Sequence, residues 1–317
     1  MTKPISIIGA TGNVGRIITQ LLLEKKLVAA KQIKLFASSH SDGKTLQISG
    51  ETFTVQDTAK ANFKKMGICL FATESDISQH YVPLALSAGC YVIDSSSHYR
   101  LDPAVPLVVG PVNGRLVSVD GAKLYAVANC LASPSSVVLA PLQQRFGVER
   151  VNVVTYQSVS GAGKAAMDEL YQETKSVIEQ KSYHRQHFKR QIAFNVIPQV
   201  GTILDDGYTQ EEIKICKEIK KIVSSDIQVT ATAVRVPVMI GHSISLSLQL
   251  KQPFMLDEVK EVLIQANGVR VCPNDYLTPV EVVQSDDVHV GRMRLDPTCQ
   301  HGLHLVLWHW MMSPTRK

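Results

Sequence analysis

The first 24 residues combine three features that few folds share. Ile5 to Ile8 form a short apolar run, a glycine-rich turn follows at once, and apolar residues then recur at helical spacing from Ile17 to Leu22. A strand, a glycine turn and a helix in this order are typical of the first part of a doubly wound nucleotide-binding sheet. The sequence therefore predicts an α/β fold that begins with a Rossmann-type parallel sheet.

Alternating strands and helices continue up to about residue 130. Further strands are predicted at 33–37, 68–72, 91–93, 107–109 and 124–127, with a helix at 80–88. Beyond residue 130 the predicted segments become longer. They are helices from 133 or 134 to 146 (kinked at Pro141), 164–190 and 211–223, and alternating strands at 151–156, 227–236 and 244–250. We therefore predict two domains: a Rossmann-type domain over residues 1–130, and an α+β domain over residues 131–317 whose mixed sheet has one open face.

Composition and charge place the chain among ordinary globular proteins. It has 317 residues, of which 45% are hydrophobic and 19% charged, a net charge of +5, and six cysteines without paired spacing. A modest, dispersed positive charge fits an enzyme of small anions, and the basic stretch 181–190 is interpreted as a solvated helix end rather than a nucleic-acid site. No signal-peptide pattern and no apolar run of about 18 residues is present. We expect a cytoplasmic protein with reduced thiols and neither a membrane nor a nucleic-acid partner.

The prediction of nucleotide binding rests on Gly9, Gly12 and Gly15. A tight turn without side chains lets backbone N–H groups and a helix N-terminus approach a pyrophosphate. Just after the second predicted strand, the segment 37–44 offers hydroxyls and a cation. No carboxylate occupies the tip of the strand, where NAD-binding domains have an acidic residue. This difference favours NADP, with NAD not excluded. The alternative for these segments is an ordinary turn and an ordinary polar loop.

Three residues are candidates for the chemistry. Cys130 lies where an apolar strand meets a helix start, and the positive end of a helix dipole stabilises a thiolate. Spacing alone leaves a buried structural thiol equally open. Arg235 lies in a predicted strand, where its guanidinium can hold a carboxylate through two hydrogen bonds. His242 follows a glycine turn and can act as an acid or base near neutral pH.

Two groups of residues resemble metal sites only loosely. His184 and His187 have helical spacing but no third ligand nearby, and Cys299, His301 and His304 lie close together near the C-terminal end. Zinc sites need a complete set of three or four such ligands. We predict no metal.

Several segments, in sequence order, resemble the aspartate-semialdehyde dehydrogenase family. They are GATGNVG at 9–15, IDSSSHYR at 93–100, Asn129-Cys130, TYQSVSGAG at 155–163, FNVIPQ at 194–199, GYTQEEIK at 207–214, and the stretch 235–243. The resemblance runs from Ile5 to about Trp308 and is far more specific than any single segment. It implies a cofactor domain, a catalytic and dimerisation domain, and a homodimer.

The activity that this resemblance implies is the reversible, NADPH-dependent reductive dephosphorylation of L-aspartyl 4-phosphate to L-aspartate 4-semialdehyde, in the biosynthesis of lysine, diaminopimelate, threonine and methionine. Phosphate is a substrate of the reverse reaction. Cys130 would form a thioester, Gln157 would orient the substrate, and His242 would be the acid/base. Arg235 would hold the substrate α-carboxylate and Glu211 its α-ammonium group. The other implied contacts are Asn129 beside the substrate, Arg100 and Lys214 for phosphate, and Gly9, Thr11, Gly12, Asn13, Val14, Gly15, Ser38, Ser39, His40, Ser41, Ser160 and Gly161 for the cofactor.

Three features depart from the family pattern. Leu131 and Ala132 replace a Ser-Thr pair beside the nucleophile, which implies reduced activity. His40 stands where the family often has Arg, which weakens the argument for a 2′-phosphate contact. After Trp308 the family continues into a long helix that returns to the cofactor domain, whereas this chain has residues 309–317. We expect an uncovered apolar stripe of several side chains, at about 1.5–3 kcal/mol each, and weaker cofactor binding unless another element covers it.

Two alternative hypotheses stay open at this point. One is a non-catalytic or weakly active relative that keeps the fold and acts as a binding or interaction protein. The retained set of Cys130, Gln157, Glu211, Lys214, Arg235 and His242 argues against it. The other is a related acyl-phosphate reductase such as N-acetylglutamyl-phosphate reductase, whose acetylated substrate has no ammonium group for Glu211.

Overall fold

The computed structural model describes residues 4–118, 120–272, 275–283 and 285–310. The described residues divide into two compact units, the first with residues 4–108 and 113–128, and the second with residues 109–112 and 129–310. The segment 311–317, which belongs to the part that departs from the family pattern, lies outside the described residues. None of the helices in the described ranges is long and apolar enough to cross a membrane.

The first unit contains an eight-stranded sheet in the order β3-β4-β2-β1-β5-β6-β8-β7. All neighbouring strands are parallel except β3 and β4, which form an antiparallel hairpin. The predicted Rossmann-type sheet is therefore confirmed, with an additional hairpin at its edge. The strands are β1 Ile5–Ile8, β2 Ile33–Ala37, β3 Thr45–Ile48, β4 Glu51–Asp57, β5 Ile68–Phe71, β6 Tyr91–Asp94, β7 Leu107–Val108 and β8 Leu124–Val127. The helices of this unit are α1 Asn13–Glu24 and α2 Ser75–Ser87, and the short α3 Gly110–Asn113 belongs to the second unit except for its last residue.

Alternating residues of these strands build a core on each face of the sheet. Ile7 packs in a cluster that includes Ile18 of α1, and Ile8 packs in a cluster that includes Val82 of α2. On neighbouring strands β5 and β6, Ile68 and Ile93 lie on the same face and remain 36% and 37% exposed. This sheet therefore carries a partly exposed apolar row at its centre.

The second unit contains a mixed six-stranded sheet in the order β10-β9-β11-β14-β13-β12. Strands β9 and β10 are parallel, as are β12 and β13, and the other neighbours are antiparallel. The predicted mixed sheet is confirmed. The elements are α4 Ala132–Phe146, β9 Val148–Gln157, α5 Lys164–Ile178, α6 Gln210–Ile222, β10 Gln228–Arg235, β11 His242–Leu250, α7 Leu256–Ile264, β12 Val269–Val271, β13 Val288–Asp296 and β14 Gly302–His309.

Strand β11 illustrates why this sheet has one covered and one open face. Its residues alternate between buried and half-buried along the whole strand. The covered face begins with His242 and continues through Ile244 and Leu246, all fully buried. Ser243 and Ser245 point to the other face and stay half-buried. His242 is therefore placed in the core by the same alternation that buries its apolar neighbours.

The helix predicted at 164–190 is wrong in its second half, because α5 ends at Ile178. Two buried carboxylates of α5 bind the segment that follows. Glu169 accepts hydrogen bonds from the backbone N–H groups of residues 186, 187 and 188, and Glu173 accepts from those of residues 192 and 193. These acceptors satisfy the backbone without a helix. The basic stretch 181–190 is thus part of an anchored loop and not a helix end.

Candidate active site

Cys130 lies immediately before α4, and its neighbour Asn129 fixes that position. The Asn129 Oδ1 atom accepts hydrogen bonds from the backbone N–H groups of Leu131 at 2.8 Å and Ala132 at 3.3 Å, which caps the helix start. The backbone N–H of Asn129 donates to buried Glu218 at 2.6 Å. The thiol of Cys130 is half-buried and forms no disulfide. This geometry holds the sulfur at the positive end of a helix dipole.

Helix α6 supplies the two predicted substrate contacts Glu211 and Lys214, both half-buried. A capping box between Thr209 and Glu212 fixes the start of the helix, and Glu212 also accepts a hydrogen bond from the β10 backbone at 2.8 Å. The Glu211 carboxylate accepts a hydrogen bond from Asn129 Nδ2 at 2.8 Å. The residue before the candidate nucleophile and the candidate ammonium ligand are therefore in direct contact.

Arg235 ends strand β10 and is 7% exposed. Its Nη1 donates to the carbonyl oxygen of Ser158 at 2.6 Å. Burial lowers the pKa of Arg235, and electrostatic interaction with the ionisable side chains of Cys130 and Glu211 opposes that effect. Cys130, Glu211 and Arg235 thus lie within electrostatic reach of one another, although they are far apart in the sequence.

His242 begins strand β11 and is fully buried. Its Nδ1 accepts the backbone N–H of Ser158 at 2.9 Å and lies 3.1 Å from Ser158 Oγ. The ring of His309, directly opposite on β14, stands edge-on with the two ring centroids 5.4 Å apart. Burial, together with the nearby His309 and Arg235, lowers the pKa of His242 well below its ordinary value. The imidazole is therefore neutral.

Gln157 and Ser160, both predicted, belong to the same group. Ser158, which was not predicted, belongs to it as well. Gln157 ends β9, is 2% exposed, and its side chain donates to Thr155 at 3.3 Å. Ser160 is buried in the turn that follows, with its Oγ 3.0 Å from that of Ser158. Ser158 therefore contacts Arg235, His242 and Ser160 at once. Its sequence signal was only its position beside Gln157, because its contacts with Arg235 and with the His242 ring use backbone atoms that every residue has.

The glycine loop of the first unit fits a dinucleotide. Gly9 has a φ of +83°, and a Cβ there would lie 2.2 Å from the Ala72 oxygen; one on Gly15 would lie 2.4 Å from the Gly9 oxygen. A Cβ on Gly12 meets only the Gly9 oxygen, at 3.4 Å. Gly12 also precedes α1, whose first turn has no acidic side chain and no side-chain cap. Gly9 and Gly15 are thus required by the turn itself, while Gly12 leaves open space at a helix N-terminus, as a pyrophosphate needs.

The predicted ribose contacts form a short turn after β2. Ser38, Ser39 and His40 are exposed and Ser41 is half-buried. A carboxylate does lie nearby in the chain, on Asp42, but it bonds to Lys60 Nζ at 2.7 Å and to the Asp57 backbone N–H at 3.0 Å. Asp42 is therefore already paired within the chain.

The remaining predicted residues lie as follows. At the start of α1, Thr11 and Asn13 are half-buried and Val14 is exposed. Gly161 is also exposed. Arg100 donates a hydrogen bond to the carbonyl oxygen of Ser95 at 2.7 Å, within the first unit.

In the described parts of the chain, no group of three or more His, Cys, Asp or Glu residues could hold a metal ion. His304 instead contacts Asp296 at 3.1 Å and Ser247 at 2.9 Å.

Comparison with known proteins places these elements in context. Residues 4–118 match the model of the semialdehyde dehydrogenase NAD-binding domain, and residues 139–309 match that of the semialdehyde dehydrogenase dimerisation domain. The chain is 40% identical to the aspartate-semialdehyde dehydrogenase of Rickettsia bellii over 96% of its own length and 92% of the relative's. The corresponding protein of Aquifex aeolicus is also 40% identical, over 95% and 91%. The crystal structure of aspartate semialdehyde dehydrogenase II complexed with ASA from Vibrio cholerae is similar with a TM-score of 0.93 and 36% identity, covering 98% of this chain and 93% of that one.

Proposed function

Because the chain belongs to the aspartate-semialdehyde dehydrogenase family, we propose that it reduces L-aspartyl 4-phosphate to L-aspartate 4-semialdehyde with NADPH, through a thioester on Cys130. The Vibrio cholerae relative, solved as a complex with ASA, supports the same substrate here. The observation that carries the proposal is the pair of hydrogen bonds by which Ser158 links the buried guanidinium of Arg235 to the His242 ring. The contact of Asn129 with Glu211 places that carboxylate beside the residue that precedes Cys130. A nucleophile, an anion clamp, a carboxylate and an imidazole are the groups that this chemistry needs.

The charges of the group complement an amino-acid substrate. Arg235 is a rigid fork suited to the α-carboxylate, and Glu211, held by Asn129, is suited to the α-ammonium group. With both ends held, the Cys130 thiolate attacks the C4 carbonyl and phosphate leaves with the electron pair of the broken C–O bond. Gln157 orients the acyl group, and His242 serves as the general acid/base. Splitting the reduction into acyl transfer and thioester reduction replaces one difficult step by two easier ones.

The leaving phosphate is an anion, so cationic side chains should bind it. Arg100 and Lys214 are the residues that we propose to bind it, which would offset the charge that develops as the C–O bond breaks. In the reverse direction the same residues hold inorganic phosphate for attack on the thioester.

The residues that we propose for the cofactor are those of the glycine loop, Thr11 to Val14, the turn 38–41, and Ser160 with Gly161. When bound, NADPH supplies the hydride that reduces the thioester. The pairing of Asp42 with Lys60 supports NADP, because a free carboxylate near the ribose would favour the 2′-hydroxyl of NAD over a 2′-phosphate.

We propose a homodimer that forms through the open face of the sheet in the second unit. Small, apolar and aromatic side chains lie on that face. Ser245 on β11 lies between Val154 on β9 and Val306 on β14, and Ser243 lies between Tyr156 and Trp308. The match to a dimerisation domain supports this assignment. Light scattering of the wild type and of Ser245→Arg tests it: the variant should become monomeric.

One assay tests the activity. Wild-type protein should reduce NADP in the presence of aspartate semialdehyde and phosphate, and Cys130→Ala should be inactive. Cys299→Ala is the matched control, since Cys299 is equally half-buried but outside this group. Equal rates for wild type and Cys130→Ala, or a wild-type rate that does not depend on phosphate, would contradict the proposal.

A further inference from the structure

Asp94 is a buried carboxylate that the proposed reaction does not use. It ends strand β6 and is completely buried. Its Oδ1 atom accepts hydrogen bonds from the Ser78 hydroxyl at 2.7 Å and from the backbone N–H of Ser96 at 3.2 Å, and its Oδ2 atom accepts one from the Ser96 hydroxyl at 2.6 Å. Because burying a charge is costly unless it is hydrogen-bonded, the carboxylate and these three donors fix one another in place.

The Ser96 side of this carboxylate belongs to the segment 95–100, which ends with Arg100. Ser96 is 5% exposed, and its Oγ atom, which donates to Asp94, also accepts the backbone N–H two residues further on at 3.2 Å. At the other end, Arg100 Nη2 donates to the carbonyl oxygen of Ser95 at 2.7 Å. Asp94 therefore holds the backbone from which the Arg100 side chain extends.

The other side of the carboxylate holds helix α2. Ser78 lies near the start of that helix and is fully buried, and its Oγ atom lies 2.9 Å from Thr73 Oγ1. The Ser78 contact uses Oδ1 of Asp94, whereas the Ser96 hydroxyl uses Oδ2. Because the two hydroxyls bond to different oxygens, substitutions can remove one contact and keep the other.

We infer that Asp94 is a positioning residue: through the Ser96 hydroxyl it fixes the segment that carries Arg100, and so places that guanidinium for the phosphate group of the substrate. The inference rests on the function proposed above, in which Arg100 binds phosphate. It adds Asp94 and Ser96 as residues that act on phosphate through Arg100. An arginine on a loose segment has to be ordered when phosphate binds, which lowers affinity, and a segment that is ordered in advance avoids this cost.

The substitution Asp94→Asn should remove the contact with the Ser96 hydroxyl selectively. The backbone N–H of Ser96 can only donate, so the amide oxygen of asparagine must stay at the position of Oδ1, where it also keeps the Ser78 hydroxyl. The amide NH2 group then replaces Oδ2 and faces the Ser96 hydroxyl, which loses its acceptor. Ser96→Ala removes the same hydrogen bond from the other partner, and it is the milder change because it leaves the carboxylate in place.

Steady-state kinetics with aspartate semialdehyde, NADP and phosphate test the inference. Asp94→Asn and Ser96→Ala should each raise KM for phosphate about three- to tenfold, as expected for one lost hydrogen bond, and change KM for the other two substrates less than about twofold. Ser78→Ala is the matched control, because it removes the other hydroxyl bonded to Asp94, and its KM for phosphate should stay within about twofold of wild type. An unchanged KM for phosphate in either of the first two variants, or an equal rise in Ser78→Ala, would overturn the inference.

A double-mutant cycle tests whether the effect passes through Arg100. Arg100→Ala should itself raise KM for phosphate about tenfold or more, because it removes a charged donor. In that background Asp94→Asn should add less than about twofold, since the residue that it positions is gone. Equal rises with and without Arg100 would show that Asp94 acts by another route, and would overturn the inference.

Phosphate affinity can also be measured without turnover, by isothermal titration with inorganic phosphate. If the wild type is inactive but binds phosphate, and Asp94→Asn and Ser96→Ala bind it more weakly, the proposed function fails and the inference about Asp94 stands. If the wild type shows phosphate-dependent turnover and both variants bind phosphate normally, the inference fails alone. If the wild type neither turns over nor binds phosphate, both fail.

Discussion

Asn129 donates a hydrogen bond from its side-chain amide to the Glu211 carboxylate at 2.8 Å, across 82 positions of sequence. The same amide group accepts two backbone N–H groups at the start of α4. One side chain therefore caps the helix that carries the candidate nucleophile and orients the carboxylate proposed to bind the substrate ammonium group. Its two functions use different atoms, so substitutions can separate them.

We predict that Asn129→Ala lowers both stability and activity, whereas Asn129→Ser lowers mainly activity. Alanine removes the cap, which costs about 1–2 kcal/mol, and serine restores a capping oxygen but not the donor to Glu211. Urea denaturation should place Asn129→Ser within about 0.5 kcal/mol of wild type. Steady-state kinetics should show a raised KM for aspartate semialdehyde in both variants. A normal KM in Asn129→Ser would mean that the contact with Glu211 does not matter for binding.

The glycine loop yields a prediction that contrasts two positions. Gly9→Ala should destabilise the protein by several kcal/mol, because the residue has a φ of +83° and its Cβ would lie 2.2 Å from a backbone oxygen. Gly12→Ala should fold with wild-type stability, since its Cβ meets only one atom of the chain, at 3.4 Å. Its effect should appear in the Kd for NADP, measured by fluorescence titration. If Gly12→Ala binds NADP as tightly as wild type, the pyrophosphate does not approach this glycine.

Much of the first unit could be predicted because its signals are local. The strands predicted at 33–37 and 124–127 have the bounds of β2 and β8, since each is a short apolar run between turns. The hairpin of β3 and β4 was missed, although alternation on both sides of Ser49-Gly50, both at positive φ, is a recognisable signal for it.

The features that escaped prediction depend on contacts distant in sequence. The loop after α5 is stabilised by carboxylates 17 to 20 residues away, so the helical appearance of its sequence is misleading. Ser158 contacts Arg235 and His242 through its peptide group, which any residue would supply. His242 and His309 lie opposite each other because of the register between β11 and β14, which no local sequence pattern encodes.

The anchored loop gives a further prediction. Burial raises the pKa of Glu169, but the backbone N–H groups of residues 186–188 outweigh it and lower that pKa on balance. Glu169→Gln replaces a charged acceptor of three hydrogen bonds by a neutral one, which should cost about 1–3 kcal/mol. Trypsin should then cleave the basic segment 181–190 faster. Asp168→Asn, at the neighbouring exposed position paired with Lys164, should leave cleavage unchanged. Equal cleavage of Glu169→Gln and wild type would show that the loop is held by other contacts.

His309 should make the protein sensitive to acid. Burial lowers its pKa from 6.5 to about 4. Between these two values the unfolded chain binds a proton that the folded protein does not, so stability is complete above pH 6.5 and falls as the pH drops toward 4. At about 1.4 kcal/mol per pKa unit, the loss is at most roughly 3 kcal/mol. His309→Phe keeps an aromatic ring beside His242 and removes this linkage. The free energy of unfolding, measured in urea at about pH 7 and pH 4.5, should therefore fall less in His309→Phe than in wild type. Parallel losses in the two proteins would mean that His309 is protonated in the folded state, or that it does not contribute to the acid transition.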